Sequence, residues 1–133
     1  MSISTPFFDP FDNPISLTTV NEARHAAKTL RQQFENGHGK SGYMLAILYD
    51  PGTVVTSAEV KQALGVSSEK AAEYYEKAFN VLHREADAGD AESMYLVALY
   101  FQSGIPPVSL DMDKYETWKN KAVKAGYRGV GQL

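Results

Sequence analysis

The 133-residue sequence contains no cysteine, which excludes disulfide bonds, thiolate metal ligands and a cysteine nucleophile. A reducing, cytoplasmic environment is the simplest expectation, although a cysteine-free exported protein would have the same composition. No window approaches the roughly 18 apolar residues that a membrane-spanning helix needs. The N-terminus also lacks a basic cluster ahead of an apolar run, so we expect neither a secretory signal nor a membrane span.

The sequence also lacks any long run of charge of one sign. It has 13 basic and 16 acidic side chains, for a formal net charge of -3. Proteins that bind nucleic acid usually carry a basic stripe that displaces counterions from phosphates, so this composition disfavours a nucleic-acid partner. The hydrophobic fraction of 44% and charged fraction of 22% are those of an ordinary soluble globular protein, with a length that fits one domain.

Motifs for catalysis and for metal binding are missing as well. His25, His38 and His83 are scattered, and none has a second metal-type ligand three or four residues away in a recognised pattern. No serine lies in a Gly-x-Ser-x-Gly elbow. Residues 37–41 read Gly-His-Gly-Lys-Ser, but a phosphate loop would need glycine at the position of Phe34 and a strand before it. We therefore predict no catalytic residue, no metal and no cofactor.

What the sequence does contain is a repeat. Residues 37–52 align without a gap on residues 89–104 at an offset of 52, so that Tyr43 matches Tyr95 and Ala46 matches Ala98. A repeated helical unit cannot bury its own apolar face and must stack on a copy of itself. The repeat therefore favours a binding scaffold over an enzyme.

Helical periodicity and capping signals cover most of the chain, and we predict an all-α fold. The β-branched run at residues 53–56 is too short and too close to turn signals to indicate a strand. Capping signals are expected at Thr19 with Glu22, at Thr56 with Glu59, at Ser67 or Ser68, and at Asp111. The predicted helices cover about residues 20–36, 40–49, 69–88, 91–103 and 112–125, with a short helix between Thr56 and Gly65.

The N-terminal segment differs from the rest of the chain. Pro6, Pro10 and Pro14 recur every four residues among Phe7, Phe8 and Phe11, which forbids a regular helix. We expect residues 1–18 to form an extended arm. Its phenylalanines would pack either on the protein's own domain or on a partner.

The second repeat continues after Gly104 into a pattern that resembles the Sel-one-like repeat, a relative of the tetratricopeptide repeat. The spacing of 37 residues between Gly89 and Gly126 is close to the period of that family. The resemblance implies a short right-handed α-solenoid of helical hairpins that acts as an adaptor or scaffold. The matching residues are Gly89, Tyr95, Val97, Ala98, Phe101, Gly104, Asp111, Lys114, Trp118, Ala122 and Gly126.

On this interpretation residues 19–133 are one helical repeat domain with an extra N-terminal helix. Repeat one covers about residues 37–88, repeat two covers 89–126, and a truncated third repeat covers 127–133. Repeat one departs from the pattern through a loop insertion near residues 53–67 and a second helix about two turns longer than expected.

The partner-binding hypothesis concerns four apolar side chains at variable positions of the repeat. Met44 and Ile47 share one helix face in repeat one, and Leu96 and Leu99 are their equivalents in repeat two. They form either an apolar strip that binds a protein partner or a surface that the N-terminal helix covers. The C-terminal end, where the last hairpin has no complete neighbour, is a second candidate surface for a partner or a homo-oligomer.

We therefore predict a protein-interaction module, an adaptor or scaffold that binds another protein without catalysis. An alternative from the same reasoning is a small inhibitor or immunity protein that neutralises a toxin or effector. An enzyme of unknown class is the third alternative, because the absence of a motif is weak evidence.

Overall fold

The computed structural model describes residues 19–53 and 56–128, and this part of the chain is all-helical, as predicted. The predicted arm at 1–18 lies outside the described residues, as do residues 129–133 of the predicted third repeat. The six helices in the described ranges are α1 (Val20–Glu35), α2 (Gly39–Tyr49), α3 (Ala58–Leu64), α4 (Ser68–Asp87), α5 (Ala91–Ser103) and α6 (Met112–Lys124).

The chain divides into two compact units, Met1–Tyr74 and Tyr75–Leu133, and the boundary falls inside α4. In the first unit α1 packs against α2 and α3, and in the second α5 packs against α6. The predicted repeat boundary at Gly89 lies later in the chain. The two halves of α4 have different partners, because Tyr74 stacks on Tyr49 whereas Phe79 packs on Tyr100.

Most helices begin where the capping signals predicted. Thr19 and Glu22 form the expected reciprocal capping box, and the hydroxyl of Ser67 accepts the amide hydrogen of Lys70 at the start of α4. The prediction for α3 is wrong by one residue. Ser57 caps this helix instead of Thr56, because the Ser57 hydroxyl is the one that accepts the amide hydrogen of Val60, at 3.3 Å.

The same type of glycine turn ends α1, α4 and α6. Gly37, Gly89 and Gly126 have φ angles of 97°, 106° and 105°, a region that residues with a Cβ rarely adopt. In each turn the glycine amide bonds the carbonyl three residues earlier, and the next amide bonds the carbonyl five residues earlier. The ends of these three helices therefore have the same hydrogen-bond pattern.

A side-chain bond repeats with the same offset of 52 residues. The Ser41 hydroxyl donates to Gln33 Oε1 at 2.8 Å. The Ser93 hydroxyl lies 3.1 Å from the equivalent Glu85 Oε1, and it lies closer, at 2.6 Å, to Asp90 Oδ2. Each bond links the end of one helix to the start of the next. The contacts of Gln33 with Ser41 and of Glu85 with Ser93 thus recur at the offset of the sequence repeat.

The helix lengths and the segment after α2 can be described without reference to the repeat. Helix α4 has 20 residues and α6 has 13, a difference of about two helical turns. The segment between α2 and α4 contains α3, which is anchored by the buried side chain of Val60. The Lys61 ammonium group holds this segment against the preceding turn by donating to the carbonyl oxygens of Pro51 and Thr53.

Helices α1 and α2 approach closely at Gly42. A Cβ at this position would lie 2.5 Å from a ring carbon of Phe34, so only glycine fits without movement of that ring. At the equivalent positions of repeat two the sequence has Met94 in place of Gly42 and Ala86 in place of Phe34. The small and the large residue are thus exchanged between the repeats.

We predict that Gly42→Ala lowers the free energy of unfolding by about 1 kcal/mol, because the overpacking cost exceeds the gain in helix propensity. In a Phe34→Ala background the clash is absent, and the same change should stabilise the protein by up to about 1 kcal/mol. Urea unfolding of the four proteins measures this coupling. Gly52→Ala is the control, since its Cβ would meet only Asp50 Oδ1 at 3.4 Å. Additive effects of the two substitutions would contradict the prediction.

Candidate partner-binding surface

The glycine turns after α1 and α6 allow the residues of the two helices to be aligned by counting back from each glycine. Counting back from Gly126 and from Gly37 gives five pairs of equivalent positions. In α1 the first four of these positions are buried. From α6 to α1 the pairs are Met112 with Ala23, Tyr115 with Ala26, Glu116 with Ala27, Lys119 with Leu30, and Val123 with Phe34.

On α6 three of these five positions are exposed, those of Met112, Glu116 and Val123, whereas Tyr115 and Lys119 are half-buried. Met112 is 48% exposed and Val123 is 42% exposed, whereas Ala23 is fully buried in α1. The large hydrophobic side chains that the structure shows as exposed are these two and Leu110, all within residues 110–123. The exposed apolar surface of the described chain is therefore concentrated on the last hairpin.

Four residues of α6 form what we call the α6 stripe: Met112, Glu116, Lys119 and Val123. Their spacing of four, three and four residues places them on one side of the helix. Within the stripe the Lys119 ammonium nitrogen lies 3.1 Å from Glu116 Oε1. The hydrogen bond to Glu116 raises the pKa of Lys119, against an opposing effect of desolvation. The stripe thus has an apolar residue at each end and a charge of each sign in the middle.

Beside the stripe lies what we call the tyrosine cluster, Tyr95, Tyr115 and Tyr127. Tyr95 on α5 stacks on Tyr127 with ring centroids 4.9 Å apart and an interplanar angle of 21°. The Lys119 ammonium group lies over the Tyr115 ring, 5.3 Å from its centroid. Burial raises the pKa of Tyr95, Tyr115 raises it further, and Lys119 opposes both. The three rings are half-buried, so each keeps part of its surface available.

The four residues of the predicted apolar strip lie elsewhere. Met44 is 2% exposed, Ile47 is 9% exposed and Leu96 is fully buried, while Leu99 is half-buried. The fold therefore does not present them as one exposed strip. Helix α1 packs against α2, which is the arrangement that the alternative expectation required for Met44 and Ile47.

Leu99 is related to the tyrosine cluster by its position on α5. It lies one helical turn after Tyr95 on α5, on the same side of that helix.

The α6 stripe itself was missed by the sequence analysis. The offset of 52 extends upstream of Gly37, where Leu30 matches Leu82. Counting back the same number of residues from Gly126 gives Lys119 in place of leucine, and this exchange would have identified the stripe.

The chemistry available elsewhere in the described residues is limited. Across residues 19–53 and 56–128, no three or more His, Cys, Asp or Glu side chains are placed so that they could hold a metal ion. His83 lies 3.1 Å from Asp87 and edge-on to Trp118, with ring centroids 5.4 Å apart, as part of the packing of α4 on α6.

Within the same ranges, no helix is both long enough and apolar enough to cross a bilayer.

The chain was compared with models of protein families, with curated proteins and with solved structures, and none of the three comparisons gave a match. The resemblance to the Sel-one-like repeat family therefore stays a prediction made from residues such as Gly89, Tyr95 and Trp118. Function has to be inferred from the last hairpin itself.

We predict that the titration of Tyr95 lowers the free energy of unfolding at high pH. Because the pKa of Tyr95 is raised in the fold, the unfolded chain releases this proton first, and stability falls as the pH rises above about 10. The free energy of unfolding should therefore decline more steeply between about pH 9 and 11 in the wild type than in Tyr95→Phe, which has no proton to release. Parallel urea titrations of the two proteins test this. Equal slopes would show that Tyr95 is not coupled to folding.

Proposed function

We propose that this protein is a protein-interaction module, an adaptor or scaffold, and that it binds a protein partner without turning over a substrate. The partner would occupy the α6 stripe together with the tyrosine cluster, which we call the outer face. The observation that carries this proposal is the exposure of a face on α6 whose equivalent is buried on α1.

The composition of the outer face supports a protein partner. Met112 and Val123 are about half exposed, so covering each one would contribute about 1 kcal/mol of binding free energy. Tyrosine and methionine are enriched in protein interfaces, where rings that are already packed lose little conformational freedom on binding. The stacking of Tyr95 on Tyr127 supplies such preorganised rings.

The proposal includes the stacking of helical hairpins in a short right-handed solenoid, as in the Sel-one-like repeat. The recurring glycine turn and the paired bonds of Ser41 and Ser93 support a repeating architecture. In such an array each repeat packs on its neighbour, and the outer face is the one that a following repeat would cover.

Site-directed photo-crosslinking tests this function. Benzoylphenylalanine in place of Val123 should give covalent adducts with a second polypeptide in cells that express the full chain. The matched control carries the same group in place of Lys124, which is exposed but lies about 100° around the helix from Val123. We expect several-fold more adduct at 123 than at 124. Equal yields at the two positions, or no polypeptide adduct at 123, would overturn the proposed function.

A further inference from the structure

We propose that the protein that covers the α6 stripe is a second copy of this chain, with the two α6 helices packed antiparallel about a twofold axis. This inference rests on the proposed function, because it names the occupant of the same face. Three observations support it: the symmetry of the stripe, the charges at its centre and the placement of the other lysines of α6.

The stripe is symmetric about its own midpoint. Met112 and Val123 lie at equal distances in sequence from the peptide bond between Thr117 and Trp118, and so do Glu116 and Lys119. A twofold axis through that point would set Met112 of one copy against Val123 of the second copy. It would also set Glu116 against Lys119, and each contact would occur twice. The stripe is therefore complementary to itself.

The charges select this occupant over an apolar helix. In α1 the two central positions hold Ala27 and Leu30, which are buried in the first unit. In α6 they hold Glu116 and Lys119, and an apolar helix laid across them would desolvate both charges with no compensation beyond their own pairing. A second α6 brings a lysine to each glutamate and a glutamate to each lysine, which favours the antiparallel register.

The geometry of the repeat also favours an antiparallel helix on this face. Helix α1 is joined to α2, the helix that packs on it, by a turn of only a few residues, as is usual in antiparallel helical hairpins. A second α6 running antiparallel to the first would take the direction that α2 takes on α1.

The remaining lysines of α6 do not oppose this pairing. The same twofold operation relates Lys114 to Lys121, which would repel each other if they lay in the interface. Lys114 instead lies over the ring of Phe101 at 5.4 Å, and Lys121 lies over the ring of Trp118 at 4.5 Å. Both are on the side of α6 opposite to the stripe, because they are offset from Met112 by about 200° and 180° around the helix.

The first measurement is the mass of the wild-type full chain in solution. Sedimentation equilibrium from about 10 μM to about 1 mM should show a rise from the 14.7 kDa of one chain towards twice that mass, since one helix pair is a small interface. A mass that stays at one chain over the whole range would overturn self-pairing.

The sharper measurement uses two charge reversals. E116K places lysine against Lys119 at both symmetric contacts, and K119E places glutamate against Glu116 at both. Each variant alone should dimerise at least about tenfold more weakly than the wild type. An equimolar mixture of the two should regain wild-type affinity as a heterodimer, because every contact then joins opposite charges. The double variant E116K/K119E should regain it as a homodimer.

The control variant is K124E, which makes the same charge change as K119E on the same helix but off the stripe, and which should dimerise like the wild type. Circular dichroism of each variant shows whether the helices persist. A mixture that associates no better than the single variants would overturn the twofold register. A wild type that stays monomeric but forms crosslinks to other proteins at position 123 would overturn self-pairing and keep the proposed function, whereas a monomer without crosslinks would overturn both.

Discussion

The glycine turn that follows α1, α4 and α6 is the constraint on which the rest of the structure depends. A φ angle near 100° lets the chain reverse within two residues, and the amides of the turn bond the last carbonyls of the helix. The turns after α1 and α4 lead directly into the next helix, and a serine hydroxyl makes a further contact across each of these two junctions. Counting back from each of the three glycines gives corresponding positions on α1, α4 and α6, and the residues at these positions differ.

On α1 these positions hold alanines and a leucine, which let α2 approach closely, most of all where Gly42 meets Phe34. On α6 the same positions hold two apolar residues at the ends and a glutamate and a lysine between them. These replacements leave the backbone geometry unchanged but alter what can pack there. Glu116 and Lys119 pair with each other, and opposite charges on the covering surface would further offset the cost of burying them. The face that serves as internal core in the first unit becomes, in the second, a surface suited to a charged and partly apolar partner.

Sequence reasoning predicted the helices well because their ends carry local signals. The bounds of α5 match the prediction, Asp111 caps α6 as predicted, and the extra length of α4 was visible in the spacing to Gly89. It failed to predict the exposed face. Helices α2 and α5 are apolar on nearly every side, so periodicity does not show which side meets solvent, and Met44 and Leu96 turned out to be buried. The start of α3 was misplaced because Thr56 and Ser57 are both acceptable caps, and only tertiary packing decides between them.

The α6 stripe is proposed as a binding face, and its coverage in solution can be measured. Amide hydrogen exchange of the full chain at low and at high protein concentration tests it most directly, since it reports coverage of α6 without any substitution. We expect exchange of the amides of α6 to slow as concentration rises, while exchange of the amides of α1, whose face is already covered, does not change. Identical exchange of α6 at both concentrations, with no slowing on addition of an extract from the source cell, would contradict it.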